Sequence, residues 1–223
     1  MRLVLLTVSA VAAFAALQQP PVELPEPAVL RLRASLDAAA RHRSHVWRDT
    51  PPANDDGTIN AYVEIPRGER QKFELDMAAN ARAVDRVIPE AIGGYPVNYG
   101  FVPQTVSYDG DPFDALVLGP PLPGGAVVRG IPVGLMQMTD EKGLDSKVVL
   151  SPVDASGRAT LALTPDEMRR IGDYFDRYKR QQPGAFSDVP GWGSAADGRA
   201  FVTRTHAFFL TCRDRSGACR LSE

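Results

Sequence analysis

The apolar stretches of this chain are short, and their spacing changes along it. Leu3 to Ala16 is a run rich in Ala, Val and Leu behind the positive start Met1-Arg2. It falls short of the roughly 20 residues a membrane span needs. Val29, Leu30, Leu32 and Leu36 then stand among Arg and Ala and predict one modest helix, followed by a breaker-rich loop over Asp49-Thr50-Pro51-Pro52-Ala53-Asn54-Asp55-Asp56-Gly57. Beyond the loop the pattern turns to β. Ile59 to Ile65 and Gln71 to Asp76 show the alternation and flanking breakers of strands, with Ala83 to Ile88 as a third candidate. Phe113 to Leu118, Ala126 to Thr139 and Ser146 to Val153 are rich in Val, Leu and Ile, the first two divided by Gly119-Pro120-Pro121 and Gly124-Gly125. Short strands with tight separators predict a small barrel or a strongly curved sheet rather than βαβ units. No nucleotide-binding glycine fingerprint follows any strand.

The period lengthens again at Thr164-Pro165-Asp166-Glu167, a helix start in which Thr caps, Pro fits the first helical position and Glu completes a capping box. Met168, Ile171, Phe175 and Tyr178 give that helix one core-facing stripe, and it is expected to end near Gln182-Pro183-Gly184. Ala195 to Cys212 fits helix or strand, and periodicity does not choose between them.

A length of 223 residues with 44% hydrophobic positions fits one globular domain. The formal net charge of -2 provides no basic field for nucleic acid, so a negative substrate would need a local basic pocket. At the front, Ala13, Ala15 and Ala16 offer a small-residue cleavage site before Gln18-Gln19-Pro20-Pro21, and residues 1–17 are expected to be a secretory signal peptide. A buried apolar helix is the alternative. No cysteine follows the run, so no stable membrane anchor is expected, and the protein is placed outside the cytoplasm, periplasmic or extracellular. Export to an oxidising compartment favours a disulfide between Cys212 and Cys219, with free thiols as the alternative. The expected divisions are residues 1–17, an extension and linker over 18–58, a domain over 59–210 and a tail over 211–223. His42, His45 and His206 lack the spacing of a metal site.

Candidate chemistry begins at Asp109-Gly110-Asp111-Pro112-Phe113-Asp114, where three carboxylates share six residues just before a strand. Two carboxylates about 4 Å apart repel by roughly 4 kcal/mol near a protein surface and about 1 kcal/mol in water. Exposed, such a turn is a solvated loop; in a cleft, a divalent cation is the simplest way to hold it. Hard oxygen ligands favour magnesium, or manganese, over zinc, and the spacing lacks the ligands of a calcium EF-hand. Thr139-Asp140-Glu141-Lys142-Gly143-Leu144-Asp145-Ser146-Lys147 adds a second acidic loop at the end of another strand. Two such loops suggest opposing walls of a site for several metal ions.

The blocks Val63-Glu64-Ile65-Pro66, Lys72-Phe73-Glu74, Val84-Asp85-Arg86, Tyr95-Pro96-Val97-Asn98-Tyr99-Gly100, the acidic turn, Met138 to Lys147 and Tyr178-Lys179 occur in the order seen in family I soluble inorganic pyrophosphatases. The resemblance runs from about Ile59 to Gly191-Trp192. It implies an α+β, mainly β fold: a five-stranded, OB-like barrel flanked by helices with the site at its open end. It further implies magnesium-dependent hydrolysis of inorganic pyrophosphate. In this resemblance Asp109, Asp114 and Asp145 look like ligands of the tightest ion, Asp140 and Glu64 like further metal-side carboxylates, and Asp111 like the base that deprotonates the attacking water. Lys72, Arg86, Lys147 and Lys179 match phosphate-binding positions, with Tyr99 and Tyr178 as hydroxyl donors. Glu74, Asn98, Glu141 and Tyr95 match in supporting positions. A homo-oligomer is expected from the same resemblance, while the extension and the cysteine-bearing tail depart from it. The alternatives are an exported, non-catalytic metal- or phosphate-binding barrel and a hydrolase of another phosphoanhydride.

Overall fold

A computed structural model describes residues 24–180 and 182–213. The expected helix in the extension is α1 (Glu26–Ala39), and its buried residues Ala28, Leu32, Leu36 and Ala39 follow helical spacing along one face. A single turn, α2 (Val46–Asp49), buries Trp47, whose indole N–H donates to the carbonyl of Thr105 at 3.0 Å.

The remaining elements are β1 (Ile59–Ile65), β2 (Gln71–Asp76), β3 (Ala81–Val87), β4 (Asn98–Phe101), β5 (Asp114–Val117), β6 (Val127–Asp140), β7 (Gly143–Leu144), β8 (Lys147–Pro152), α3 (Pro165–Phe175), β9 (Ser187–Gly193) and α4 (Ala195–Arg213). Five strands pair in a closed ring: β1 with β4, β4 with β5, β5 with β8, β8 with β6, and β6 back to β1. The β5–β8 pairing is parallel and the others antiparallel. Closure leaves no ring edge unpaired, and with the flanking helices it gives the mainly β, α+β architecture expected. The 14-residue β6 reaches around several neighbours because its register shifts between Pro132 and Gly134, where proline offers no N–H to the ladder. At Gly100 a Cβ would lie 1.8 Å from the carbonyl oxygen of Tyr62, so glycine is what lets β4 close on β1.

The open question in the last segment resolves as helix. Val202, Thr205, Phe208, Phe209 and Cys212 form the inner face of α4, and Phe208 and Phe209 join Leu32, Leu36, Trp47 and Phe101 in one core cluster. The extension therefore packs on the ring through a shared core. Helix α3 starts as expected, with the Thr164 hydroxyl accepting from the Glu167 N–H at 3.2 Å. It stops at Phe175 rather than near Gln182, and turns carry Tyr178 and Lys179 onward, anchored by Tyr178 N–H to the Tyr174 carbonyl at 2.9 Å. Strand β9 was not expected. Its sequence, SDVPGWG, has little alternation, and among the described residues it pairs only with β6.

Candidate active site

The two acidic segments face one cavity of about 370 Å³. The turn before β5 is held in shape locally. Ser107 N–H donates to the Asp111 carbonyl at 2.7 Å, Asp111 N–H donates to Asp109 Oδ1 at 3.1 Å, and the buried Phe113 donates its N–H to Thr105 Oγ1 at 2.9 Å. The opposite wall is the end of β6 and its hairpin with β7, which presents Asp140, Glu141 and Lys142, with Asp145 following.

A third wall is the separate hairpin of β2 and β3, in which Lys72 and Arg86 are register partners. Lys72 is paired with Glu74 and lies 3.2 Å from Asp85, while Arg86 Nη1 donates to Asp85 at 2.8 Å. The other Arg86 donors, Nε and Nη2, are buried without a hydrogen-bond partner among the described residues. Unsatisfied buried guanidinium donors in a cavity wall are suited to an oxyanion.

Below the cavity, Lys147 is wholly buried with Nζ 2.5 Å from Asp114 Oδ2 and 2.8 Å from Asp145 Oδ1. Lys179 Nζ lies 2.5 Å from Asp140 Oδ2 and 3.0 Å from Glu141 Oε1. Tyr99 and Tyr178 line the space. Glu64, on β1, is buried and accepts the Leu75 N–H at 2.6 Å.

Crowding and burial govern the ionisation of these groups. Burial pushes Glu64 up to about 8 despite the Leu75 N–H. Burial, then the neighbouring Asp109, pushes Asp111 up to about 7. Asp145 also rises to about 7, through burial that outweighs the pull of Lys147. For Lys147 burial opposes the charge, yet Asp114 and Asp145 prevail and hold it above its ordinary value.

The cavity thus gathers Glu64, Lys72, Glu74, Arg86, Tyr99, Asp109, Asp111, Asp114, Asp140, Glu141, Asp145, Tyr178 and Lys179, with Lys147 bonded to two of its wall carboxylates. Asn98 and Tyr95 are not in the wall. Asn98 is buried with its side chain tied to Arg67, Val117, Pro120 and Leu122, and Tyr95 is buried among Tyr99, Tyr174 and Phe175. Cys212 is buried on α4, whereas Cys219 and the expected signal peptide lie outside the described residues. Sequence reasoning missed Ser35, Asp85 and Lys142 in the wall and Arg31 beside it. Asp85 had a signal, since it sits between Val84 and Arg86 in a matched block; Arg31 had none, being one arginine among several on an extension.

The wall carries nine carboxylates, those of Glu64, Glu74, Asp85, Asp109, Asp111, Asp114, Asp140, Glu141 and Asp145, against the four cations Lys72, Arg86, Lys142 and Lys179. Among the described residues no three acidic side chains converge on one point as they stand, because most are turned toward a lysine or arginine. The donor set of hard carboxylate oxygens nevertheless fits magnesium or manganese. A surplus of carboxylates beside donors suited to an oxyanion is the chemistry of a cation-dependent site for a phosphate compound.

Comparison with known proteins gives that class a family. The sequence model described as Inorganic pyrophosphatase matches residues 61–209. Inorganic pyrophosphatases of Xanthomonas axonopodis pv. citri (strain 306) and Aquifex pyrophilus are 41% and 38% identical, covering 66% and 68% of this chain and 86% and 89% of theirs. The crystal structure of the inorganic pyrophosphatase from Thermus thermophilus aligns with a TM-score of 0.68 at 31% identity, covering 75% of this chain and 99% of that one. The chain belongs to the inorganic pyrophosphatase family. Among the described residues no helix is long and apolar enough to cross a membrane.

Proposed function

We infer that this protein hydrolyses inorganic pyrophosphate to two phosphates with a divalent cation, magnesium in the first instance, as cofactor. The observation that carries the reading is the charge of the cavity. A wall so rich in carboxylates repels a polyanion unless cations enter with it, yet Arg86 holds buried donors ready for one.

Asp109, Asp114 and Asp145 would hold the tightest ion, with Asp140 and Glu64 as further oxygen ligands. Bound magnesium supplies Lewis-acid polarisation and a more acidic water. Asp111 accepts the proton of the attacking water, whose oxygen forms a bond to one phosphorus as the bridging P–O bond breaks. Partial burial beside Asp109 raises the affinity of Asp111 for a proton, which supports that role. Lys72, Arg86 and Lys179, with the Tyr99 and Tyr178 hydroxyls, orient the phosphoryl oxygens and stabilise the departing phosphate. Lys147 separates Asp114 from Asp145 and supports their placement.

Phosphate release from pyrophosphate, dependent on added magnesium and abolished by chelation, is the expected result. Magnesium binding with no turnover would leave a binding protein. Running tripolyphosphate and a nucleoside triphosphate in the same assay fixes the substrate range.

Export belongs to the same proposal and rests on the sequence. A mature N-terminus near residue 18 supports it; a chain retaining Met1 in the cytoplasm refutes it. A mass gain of two hydrogen atoms on reduction tests a Cys212–Cys219 bridge, and light scattering tests the expected homo-oligomer.

A further inference from the structure

We propose that helix α1, which precedes the residues matched by the family, forms part of the active-site wall, and that its Arg31 is a substrate-binding residue that contacts a phosphate oxygen of pyrophosphate. This rests on the reading of the cavity as a pyrophosphate site.

Three observations carry it. First, α1 is fixed in place, since Leu32 and Leu36 share a core with Trp47, Phe101, Phe208 and Phe209. Second, the acidic turn is shaped around the helix. At Gly110, where φ is +89°, a Cβ would lie 2.3 Å from the carbonyl oxygen of Ala28. Only glycine accepts both that backbone angle and that approach. Third, the residues that follow Ala28 on α1 reach the site. Arg31 Nη1 lies 2.9 Å from Asp111 Oδ2 and 3.9 Å from Asp109 Oδ2, and Ser35, four residues on, lines the cavity.

The contact with Asp111 does not exhaust Arg31. A guanidinium has five N–H donors in a planar fork, and the Arg31 side chain keeps 40% of its surface exposed. Lys142 meets the same two carboxylates from the opposite wall, 3.3 Å from Asp109 and 3.7 Å from Asp111. Two cations therefore neutralise the acid pair in the free protein. Both cations meet Asp111 at Oδ2, Arg31 through Nη1 alone, whereas an incoming phosphate offers the guanidinium a bidentate acceptor. Arg31 passes from carboxylate to phosphate as substrate enters, adding a positive group to a wall short of them.

The test uses the full chain with Arg31→Ala and Arg31→Lys at saturating magnesium. Arg31→Ala is expected to raise KM for pyrophosphate about tenfold with kcat within about threefold, as loss of one charged hydrogen bond to substrate would do. The equilibrium Kd of methylenediphosphonate, measured by calorimetry, should weaken by a similar factor, and Arg31→Lys should recover part of both. The melting temperature should hold, since the ion pair is half-exposed. Unchanged KM and Kd overturn the proposal, whether or not the melting temperature falls. A lowered KM overturns it as well, making Arg31 a plug on Asp111. Absence of turnover in the unaltered chain would instead defeat the pyrophosphatase reading.

Discussion

Lys147 and Asp114 meet beside the parallel pairing of the ring: the lysine Nζ lies 2.5 Å from the carboxylate, with 1% of the lysine side chain exposed. Each stands one residue before a register pair, Val148 on β8 and Ala115 on β5, so the pairing itself sets them side by side. Removing one partner of a buried pair costs about 3–5 kcal/mol, because the other charge stays buried and uncompensated. Lys147→Met, which keeps the length and loses the charge, should therefore lower stability to urea by about that much in chelator. Magnesium should recover part of the loss by taking over the neutralisation of Asp114 and Asp145. Urea titrations with chelator and with magnesium check both parts; an unfolding midpoint equal to the unaltered protein in chelator would refute them.

Asp111 is half-exposed at the cavity, in a turn whose backbone is held by Ser107 and Asp109. Asp111→Asn keeps the shape and removes the base, so kcat should fall about 10²- to 10⁴-fold, the usual range for general-base removal. Magnesium binding by calorimetry should stay within a few-fold, since the proposed ligands are other residues. A variant that turns over at the normal rate would pass the base role elsewhere.

These predictions draw on features of unequal legibility. Strands β1, β2, β5, β6 and β8 were readable because alternation or apolar runs end at Gly, Pro or acidic loops. Strand β4 was not: its four residues, Asn98–Phe101, are too few for a period and include Gly100. The catalytic blocks were readable because several fixed-order motifs carry the charged residues. What the sequence could not show was distance. Nothing in the spacing of Arg31 and Asp111, 80 residues apart, announces a 2.9 Å contact, because it arises from α1 joining a core built with Trp47, Phe101, Phe208 and Phe209. The same limit applies to Asn98, whose motif suggested support for the site and whose contacts are made elsewhere.

Asn98 is fully buried and uses both ends of its amide. Its Oδ1 accepts the N–H groups of Arg67 at 2.9 Å and Leu122 at 2.8 Å, and its Nδ2 donates to the carbonyls of Val117 at 3.0 Å and Pro120 at 2.9 Å. It joins the loop after β1 to the one after β5. Asn98→Ala removes the partner of all four and strands the buried Val117 carbonyl, at about 1–3 kcal/mol for a buried unsatisfied group, with a cavity left where the amide packed. A loss of about 3 kcal/mol or more is expected, with KM for pyrophosphate within about twofold. A large KM change in a protein of normal stability would instead return Asn98 to the site.

His45 provides a pH dependence separate from the acidic cavity. Its ring is buried, Nε2 faces the Met77 carbonyl at 3.2 Å, and Nδ1 has no partner among the described residues. With Nε2 as the donor, the proton added on acidification goes to buried Nδ1. Burial lowers its pKa below the ordinary value; His42 and Arg48 act in the same direction, against the Met77 carbonyl and Asp49. A lowered histidine pKa gives stability that is intact above about pH 6.5, the ordinary value, and is lost as pH falls through the folded value. Asp49, held below its ordinary value first by the hydrogen bond from Arg48, titrates further down. Glu64, Asp111 and Asp145 act in the opposite sense, because raised carboxyl values favour the folded state as pH falls. The comparison is therefore between the unaltered protein and His45→Gln, both in saturating magnesium, with thermal melting at pH 7.5 and pH 5. Glutamine can still donate to Met77 but cannot take the proton. The unaltered protein should lose more melting temperature than the variant between the two conditions, and parallel losses would show that His45 does not carry the dependence.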